Sequence, residues 1–206
     1  SIPMSDDLLD AVRDDNETAL SRLGSSKALY AATGGEMTAE PVLQAAADDA
    51  AAAADVFAAW ADEEPDDDAA ATFRTAAERT ERQRDTALEE LEGYDPATGD
   101  PLADHLRDVE GTAARAGAFL GWSLVSHATL GQVVGFFVGD ADPQTASTFR
   151  DVRDETGEVQ AAAIGLLDAV DDRGAVKAAA DAAVQAAYDD YVETLESMGV
   201  NPKNVC

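Results

Sequence analysis

One cysteine is present, Cys206, and it is the last residue of the chain. A lone thiol closes no internal disulfide, so neither a disulfide framework nor an oxidising compartment is called for. No residue near it in sequence would activate it as a nucleophile. Histidine is almost as scarce, with His105 and His127 alone. Leu102 and Leu124 stand three residues before them, so the Glu-x-x-His pairs of two-iron helical bundles are missing. Lysine occurs three times against eleven arginines. The arginines that cluster, Arg79, Arg82 and Arg84, alternate with Glu78, Glu81 and Asp85. That spacing predicts ion pairs along one solvated helix face. No basic patch is left over for phosphates, which argues against direct binding of DNA or RNA. No alternating, β-branched run bounded by turn residues appears, so a sheet is not expected. A phosphate-cradling loop, a dinucleotide glycine fingerprint and a nucleophile beside a base are missing as well. No basic leader precedes an apolar run, and the expected location is cytoplasmic.

What the chain has in excess is acid. Its 206 residues carry 42 acidic against 14 basic side chains, a formal charge of -28, and aspartate outnumbers glutamate 27 to 15. Heavy aspartate with little lysine is the halophilic pattern. Carboxylates hold hydrated cations at the surface when bulk salt competes for water, and at molar salt the Debye length falls to about 3 Å, so the charges hardly repel.

The length fits one domain, taken as 5–199, with Ser1, Ile2 and Pro3 ahead of Met4 as a cloning remnant and start, and 200–206 as a short tail. Glycine and proline divide the chain into six helical segments. The first runs from Asp6 to Ala32 and stops at Gly34 and Gly35. The second follows Thr38 as N-cap, with the stripe Val42, Ala46, Ala50, Ala53, Phe57 and Trp60 at helical spacing. The third carries Phe73, Ala77, Leu88 and Leu91 and ends near Gly93, before a loop from Tyr94 to Pro101. The fourth repeats Leu102, Leu106, Val109, Ala113, Ala116 and Leu120. Asp142 and Pro143 open the fifth in N-cap and N1 positions. The sixth begins after Arg173 and Gly174, carries Val176, Ala180, Ala187, Tyr188, Val192 and Leu195, and ends near Gly199. Alanine-rich faces allow close antiparallel contacts, so the expected fold is an all-α bundle of five to six antiparallel helices.

The uncharged stretch from Ala116 to Gly139 is long enough to span a membrane, yet Ser123, Ser126, His127, Thr129 and Gln132 interrupt it and no basic flank orients it. A central buried helix broken near Thr129 is the better reading, with His127 as a core histidine bonded to a carbonyl or hydroxyl and His105 solvated. Gly131, Gly135 and Gly139 recur at four-residue spacing. Close packing is expected at Gly131 and Gly135, within the chain or across a homodimer, and a C-cap role at Gly139. Candidate metal ligands are Glu17, Glu78, Glu81, Glu110 and Asp49. Acids are so frequent that almost any register offers one, so no catalytic residue and no cofactor is expected; if a metal binds, Asp49, Glu78 and Glu81 are its first ligands.

Three segments carry a resemblance: Leu23 to Tyr30 (LGSSKALY) with Gly34 to Met37 (GGEM), Val133 to Pro143 (VVGFFVGDADP), and Tyr191 to Pro202 (YVETLESMGVNP). They resemble a haloarchaeal family placed with rubrerythrins in the ferritin-like superfamily. The resemblance implies a ferritin-like bundle. Laid on that family's first metal-binding helix, Leu43 to Trp60 puts Asp49 at the glutamate position and Ala52 at the histidine position. Phe73 to Leu91 puts Thr80 and Gln83 at the corresponding places of the other helix. With both histidines gone, iron chemistry is not implied. The leading expectation is therefore a non-catalytic binding or interaction module with a protein partner. The alternatives are a metalloprotein handling iron or peroxide and, from a label that members of the family carry, a transcription antitermination factor.

Charge and composition yield one prediction. A charge of -28 set against a core of small alanine contacts should cost the fold its stability at low ionic strength. Circular dichroism in millimolar buffer should show a weaker helical signal than in molar KCl. Equal helicity and equal melting points in the two would contradict this.

Overall fold

The computed structural model describes residues 4–203. Nine α-helices and one short 3-10 turn make up the secondary structure among these residues. They are α1 (Met4–Asp15), α2 (Glu17–Leu23), α3 (Ser26–Ala32), α4 (Ala39–Glu63), α5 (Asp67–Glu89), α6 (Pro101–Arg107), α7 (Thr112–Gly139), α8 (Pro143–Gly165) and α9 (Arg173–Ser197), with the 3-10 turn over Leu166–Ala169. The remnant assigned to Ser1, Ile2 and Pro3 and the thiol of Cys206 lie outside the described residues.

The helix count exceeds the expected five to six for two local reasons. The segment from Asp6 to Ala32 breaks at Asn16 and again at Gly24 and Ser25, giving three helices of which two have seven residues. The fourth segment breaks at Gly111, whose φ of 91° no helix accommodates, and not near Thr129. Thr129 stays helical because its hydroxyl donates back to the Ser126 carbonyl at 3.2 Å, a bond that lets a hydroxyl sit mid-helix. So α7 runs unbroken for 28 residues. No helix among the described residues is long and apolar enough to cross a membrane.

Aspartate starts four of the helices, α5, α6, α8 and α9. Asp66, Asp100, Asp142 and Asp172 each accept a bond from the backbone amide three residues on, satisfying a donor the helix leaves free. Thr38 has extended N-cap dihedrals but no side-chain cap bond. The end of α7 departs from expectation. Gly139 is still helical, and Ala141 takes the left-handed conformation at φ 57° while the Asp142 amide reaches back to the Phe137 carbonyl at 3.0 Å.

Helices α4 and α5 form one hairpin and α7 and α8 another, with α6 on the path between them. The hairpins meet α4 to α7 and α5 to α8, and α9 covers the other side of α7. Where α7 meets α9, Gly117 lies so close to Val176 that an added Cβ would stand 2.0 Å from its carbonyl oxygen, and at Gly121 the Ala180 oxygen would be 2.5 Å away. Both numbers rise together, so α7 and α9 run parallel with backbones nearly touching. The expected close packing thus falls on Gly117 and Gly121. Within the chain, a Cβ at Gly131, Gly135 or Gly139 would meet only open space.

Aromatic side chains collect at two levels of the bundle. Phe57, Trp60, Phe73, Phe119 and Trp122 pack together at one, with Phe57 edge to face at 4.9 Å from Trp122 and 5.2 Å from Phe119, and Phe119 parallel to Trp122. Phe137 stacks on Phe149 at 5.9 Å at the other. Beside the first, at the turn after α4, the buried Glu64 carboxylate pairs with Arg115 of α7 at 3.0 Å and takes a short bond from the Thr112 hydroxyl. The Trp60 indole donates to the Leu106 carbonyl at 3.2 Å, fixing α6 to this end. Arg79, expected to pair along its own helix, instead reaches across to α8 and binds Glu158 at 2.9 Å.

The glycine contacts are separable by substitution. Gly117→Ala must push α9 away and should cost about 1–3 kcal/mol or more. Gly135→Ala meets nothing and should gain up to about 1 kcal/mol from helix propensity. Thermal melts in molar KCl should order the proteins Gly135→Ala, wild type, Gly117→Ala, and the reverse order would overturn the assignment of the close contact.

Candidate functional site

Between the two aromatic levels the bundle is lined with small side chains. Ala45, Ala46, Ala50 and Ala53 of α4, Ala103 of α6 and Ala187 of α9 leave a cavity of about 350 Å³. Trp122 and Phe149 close it on the sides of the two clusters, and α7 adds Val125, Ser126, Thr129, Leu130 and Val133. Exposed Ala97, Gly99 and Pro101 form a rim where the 94–100 loop crosses. The volume is at the lower end of small-molecule sites.

Asp49 stands in this cavity for a reason of register. Steps of three and four residues from Val42 through Ala46 to Asp49, Ala53 and Trp60 keep one face of α4, and that face points inward. Asp49 lines the cavity and is solvent-exposed. Among the described residues nothing donates a hydrogen bond to its carboxylate. Burial, and after it the charges of Asp100, Asp48 and Asp190, push the Asp49 carboxyl well above the ordinary carboxylate range.

The three neighbouring acids are each held. Asp100 caps α6, accepting from the Ala103 amide at 2.9 Å, and burial raises its carboxyl nonetheless. Asp190 on α9 is raised by burial as well, against a long 3.4 Å bond from the Thr194 hydroxyl. Asp48 accepts the Tyr94 hydroxyl at 2.6 Å and the Ala97 amide at 3.2 Å, tying the loop to α4. Gln44 adds a bond to the Asp95 carbonyl at 2.7 Å. Burial and the bond to Asp48 together push the Tyr94 phenol up to about 12. No lysine, arginine or histidine lines the cavity.

Of the metal ligands named from sequence, only Asp49 reaches the cavity. Glu78 and Glu81 lie exposed on the outer face of α5, away from it, so the three are not brought together. Among the described residues no three acidic, histidine or cysteine side chains are grouped to hold a metal ion. Gln83 does line the cavity and donates to Glu155 of α8 at 2.9 Å, while Thr80 is buried with its hydroxyl turned to the Ala76 carbonyl. Glu110 is exposed. His105 is half-buried in the last turn of α6.

His127 is not a core histidine. It lies exposed in a groove with Arg13, Glu17, Asp154 and Gln160, its Nδ1 2.9 Å from the Thr156 hydroxyl. Partial burial and the charges of Arg153 and Arg13 lower its pKa. The reason is phase: α7 is buried all round only as far as Val125, and beyond it one side faces solvent.

Sequence reasoning missed Asp100 and Asp190. Asp100 before Pro101 carries an N-cap signal, but the cap alone does not say which cavity it faces. Asp190 sits beside Tyr191, which is buried in place of the expected Tyr188, while Val176, Ala180, Ala187 and Leu195 of the expected stripe are buried as read. No known protein family, no curated protein and no solved structure matches the chain.

The cavity acid has a pH signature. Because Asp49 holds its proton more tightly folded than unfolded, the folded state binds the extra proton between the two pKa values. Its contribution is full below the unfolded value near 3.9 and is lost as pH rises through the raised one. Asp49→Asn should therefore flatten the fall of stability across that window and raise the melting point at neutral pH. Each 1 kcal/mol recovered appears as roughly 2–4 °C at this size. A variant that melts lower than wild type at neutral pH would contradict the placement of Asp49.

Proposed function

We propose that this chain is a non-catalytic binding module, a halophilic, cytoplasmic, ferritin-like bundle whose central cavity takes a small molecule. The observation that carries this is the unpaired Asp49 carboxyl inside a cavity of about 350 Å³. An acid crowded by like charges costs stability, and a cavity in a bundle core forfeits packing. A ligand that fills the space and engages the acid offsets both. The ferritin-like reading is supported by the two hairpins, α4 with α5 and α7 with α8, and by the position of Asp49 and Gln83 on the walls between them.

A two-iron centre does not fit these donors. Ala52 and Thr80 stand at positions matched to metal-binding helices, Gln83 is neutral, and Glu78 and Glu81 face solvent. The cavity contributes one unheld carboxyl, and nothing within it is arranged as nucleophile and base.

The test combines metal analysis with ligand screening. Protein purified in molar KCl and dialysed against chelator should retain well under one iron, manganese or zinc per chain. A fragment screen read by thermal shift should give stabilising compounds that lose their effect in Ala46→Phe, which fills the cavity. Stoichiometric retained metal would contradict the module, and so would a screen whose compounds act equally on Ala46→Phe.

A further inference from the structure

We propose that the segment 91–100 is a strap that opens and closes the mouth of the cavity, with the Asp48 side chain as its latch. This goes beyond the reading of the cavity as a binding site and names how the cavity is entered. Ala97, Gly99, Pro101 and Asp49 are exposed where they line the cavity, and among the other lining residues only Ala32 is. Ala97 and Gly99 belong to the strap, Pro101 follows it, and Asp49 stands next to Asp48 on α4. The mouth therefore lies between α4 and the strap.

The strap joins α5 to α6 without regular structure. From 92 to 99 no backbone group bonds to another backbone group among the described residues. Three side-chain bonds hold it instead. The Tyr94 hydroxyl and the Ala97 amide both donate to Asp48 Oδ1, at 2.6 and 3.2 Å, and the Gln44 amide donates to the Asp95 carbonyl at 2.7 Å. Gln44 and Asp48 stand four residues apart, so one turn of α4 receives all three bonds. A single carboxylate oxygen carries two of them, and losing it frees the middle of the strap. The half-buried Tyr94 ring rests on the apolar cluster that includes Leu43 and Ala47, while every residue from 95 to 99 is exposed. Exposed backbone held by so few bonds opens at a fraction of the cost of global unfolding. Both ends stay fixed, because the Leu91 amide bonds to the Leu88 carbonyl and Asp100 caps α6 through the Ala103 amide. The motion is a swing of 92–99 between two held ends, and it widens the gap between Ala97 and α4.

Two readouts on the full chain in molar KCl test this, and neither uses a ligand, so an empty fragment screen leaves the strap standing. Chymotrypsin cuts after an aromatic residue whose ring and backbone are free. With protease limiting, cleavage after Tyr94 therefore follows the population of the open strap. Asp48→Ala removes two bonds and should speed that cleavage at least about tenfold. Asp48→Asn keeps an oxygen that accepts both bonds and should stay close to wild type. Tyr94→Phe loses one bond, leaves α4 untouched and keeps the cleavage site, so its rate should fall between the two. The second readout is quenching of tryptophan fluorescence by acrylamide, since Trp122 lines the cavity while Trp60 is fully enclosed. Asp48→Ala should raise the quenching constant above that of wild type and of Asp48→Asn. Cleavage after residue 94 that is no faster in Asp48→Ala and Tyr94→Phe would overturn the latch. Faster cleavage with unchanged quenching would mean a strap that moves without governing the mouth, and would overturn the proposal as well.

Discussion

The approach of α7 to α9 sets the geometry on which the rest of the bundle depends. At Gly117 and Gly121 there is no room for a single methyl group against the backbone of α9. That contact carries Asp190, Tyr191 and Thr194 on α9 to the same space that α4 faces with Asp49. A bundle with larger residues at these two positions would hold α9 farther out and open the wall. Close approach through glycine gives up helix propensity, roughly 1 kcal/mol per residue against alanine. Here the backbone contact returns it in dispersion and in a fixed axial register.

The distribution of side-chain size follows the same logic. The large rings sit at two levels, and the level between them is built from alanine, so the cavity is a consequence of where bulk was left out. Small side chains do two things in this protein. On α7 and α9 they remove distance between helices, and on α4 they fail to fill it. The Glu64 and Arg115 pair and the Trp60 bond to Leu106 lock the far end of the first hairpin, which keeps the cavity from collapsing around its small walls.

Much of the helical layout was legible in the sequence, because Gly, Pro and Asp mark ends by mechanisms that act within a few residues. Asp142 before Pro143 and the end of the last helix near Gly199 were read correctly for that reason. The break at Gly111 was not, since only its backbone dihedral distinguishes it from the helical Gly117 and Gly121. The glycine run at 131, 135 and 139 was the more regular pattern, yet spacing alone does not tell which glycines have a neighbour. The site was less legible than the fold. Asp49 was visible only as a candidate metal ligand, and with 42 acids in the chain that carried little weight on its own. Asp100 and Asp190 come from helices far apart in sequence, and only packing assembles them.

The central claim is that Asp49 lines the cavity beside other carboxyls, with nothing paired to it. Carbon-13 NMR titration of the aspartate side-chain carboxyls, with Asp49 assigned by comparison to Asp49→Asn, measures this directly. The account predicts that Asp49 titrates well above the ordinary carboxylate value near 3.9, later than the capping Asp142, which its bonds to Thr145 hold low. An Asp49 that titrates at or below 3.9 would mean a solvated or paired carboxylate, and the cavity would have no acid to offer a ligand.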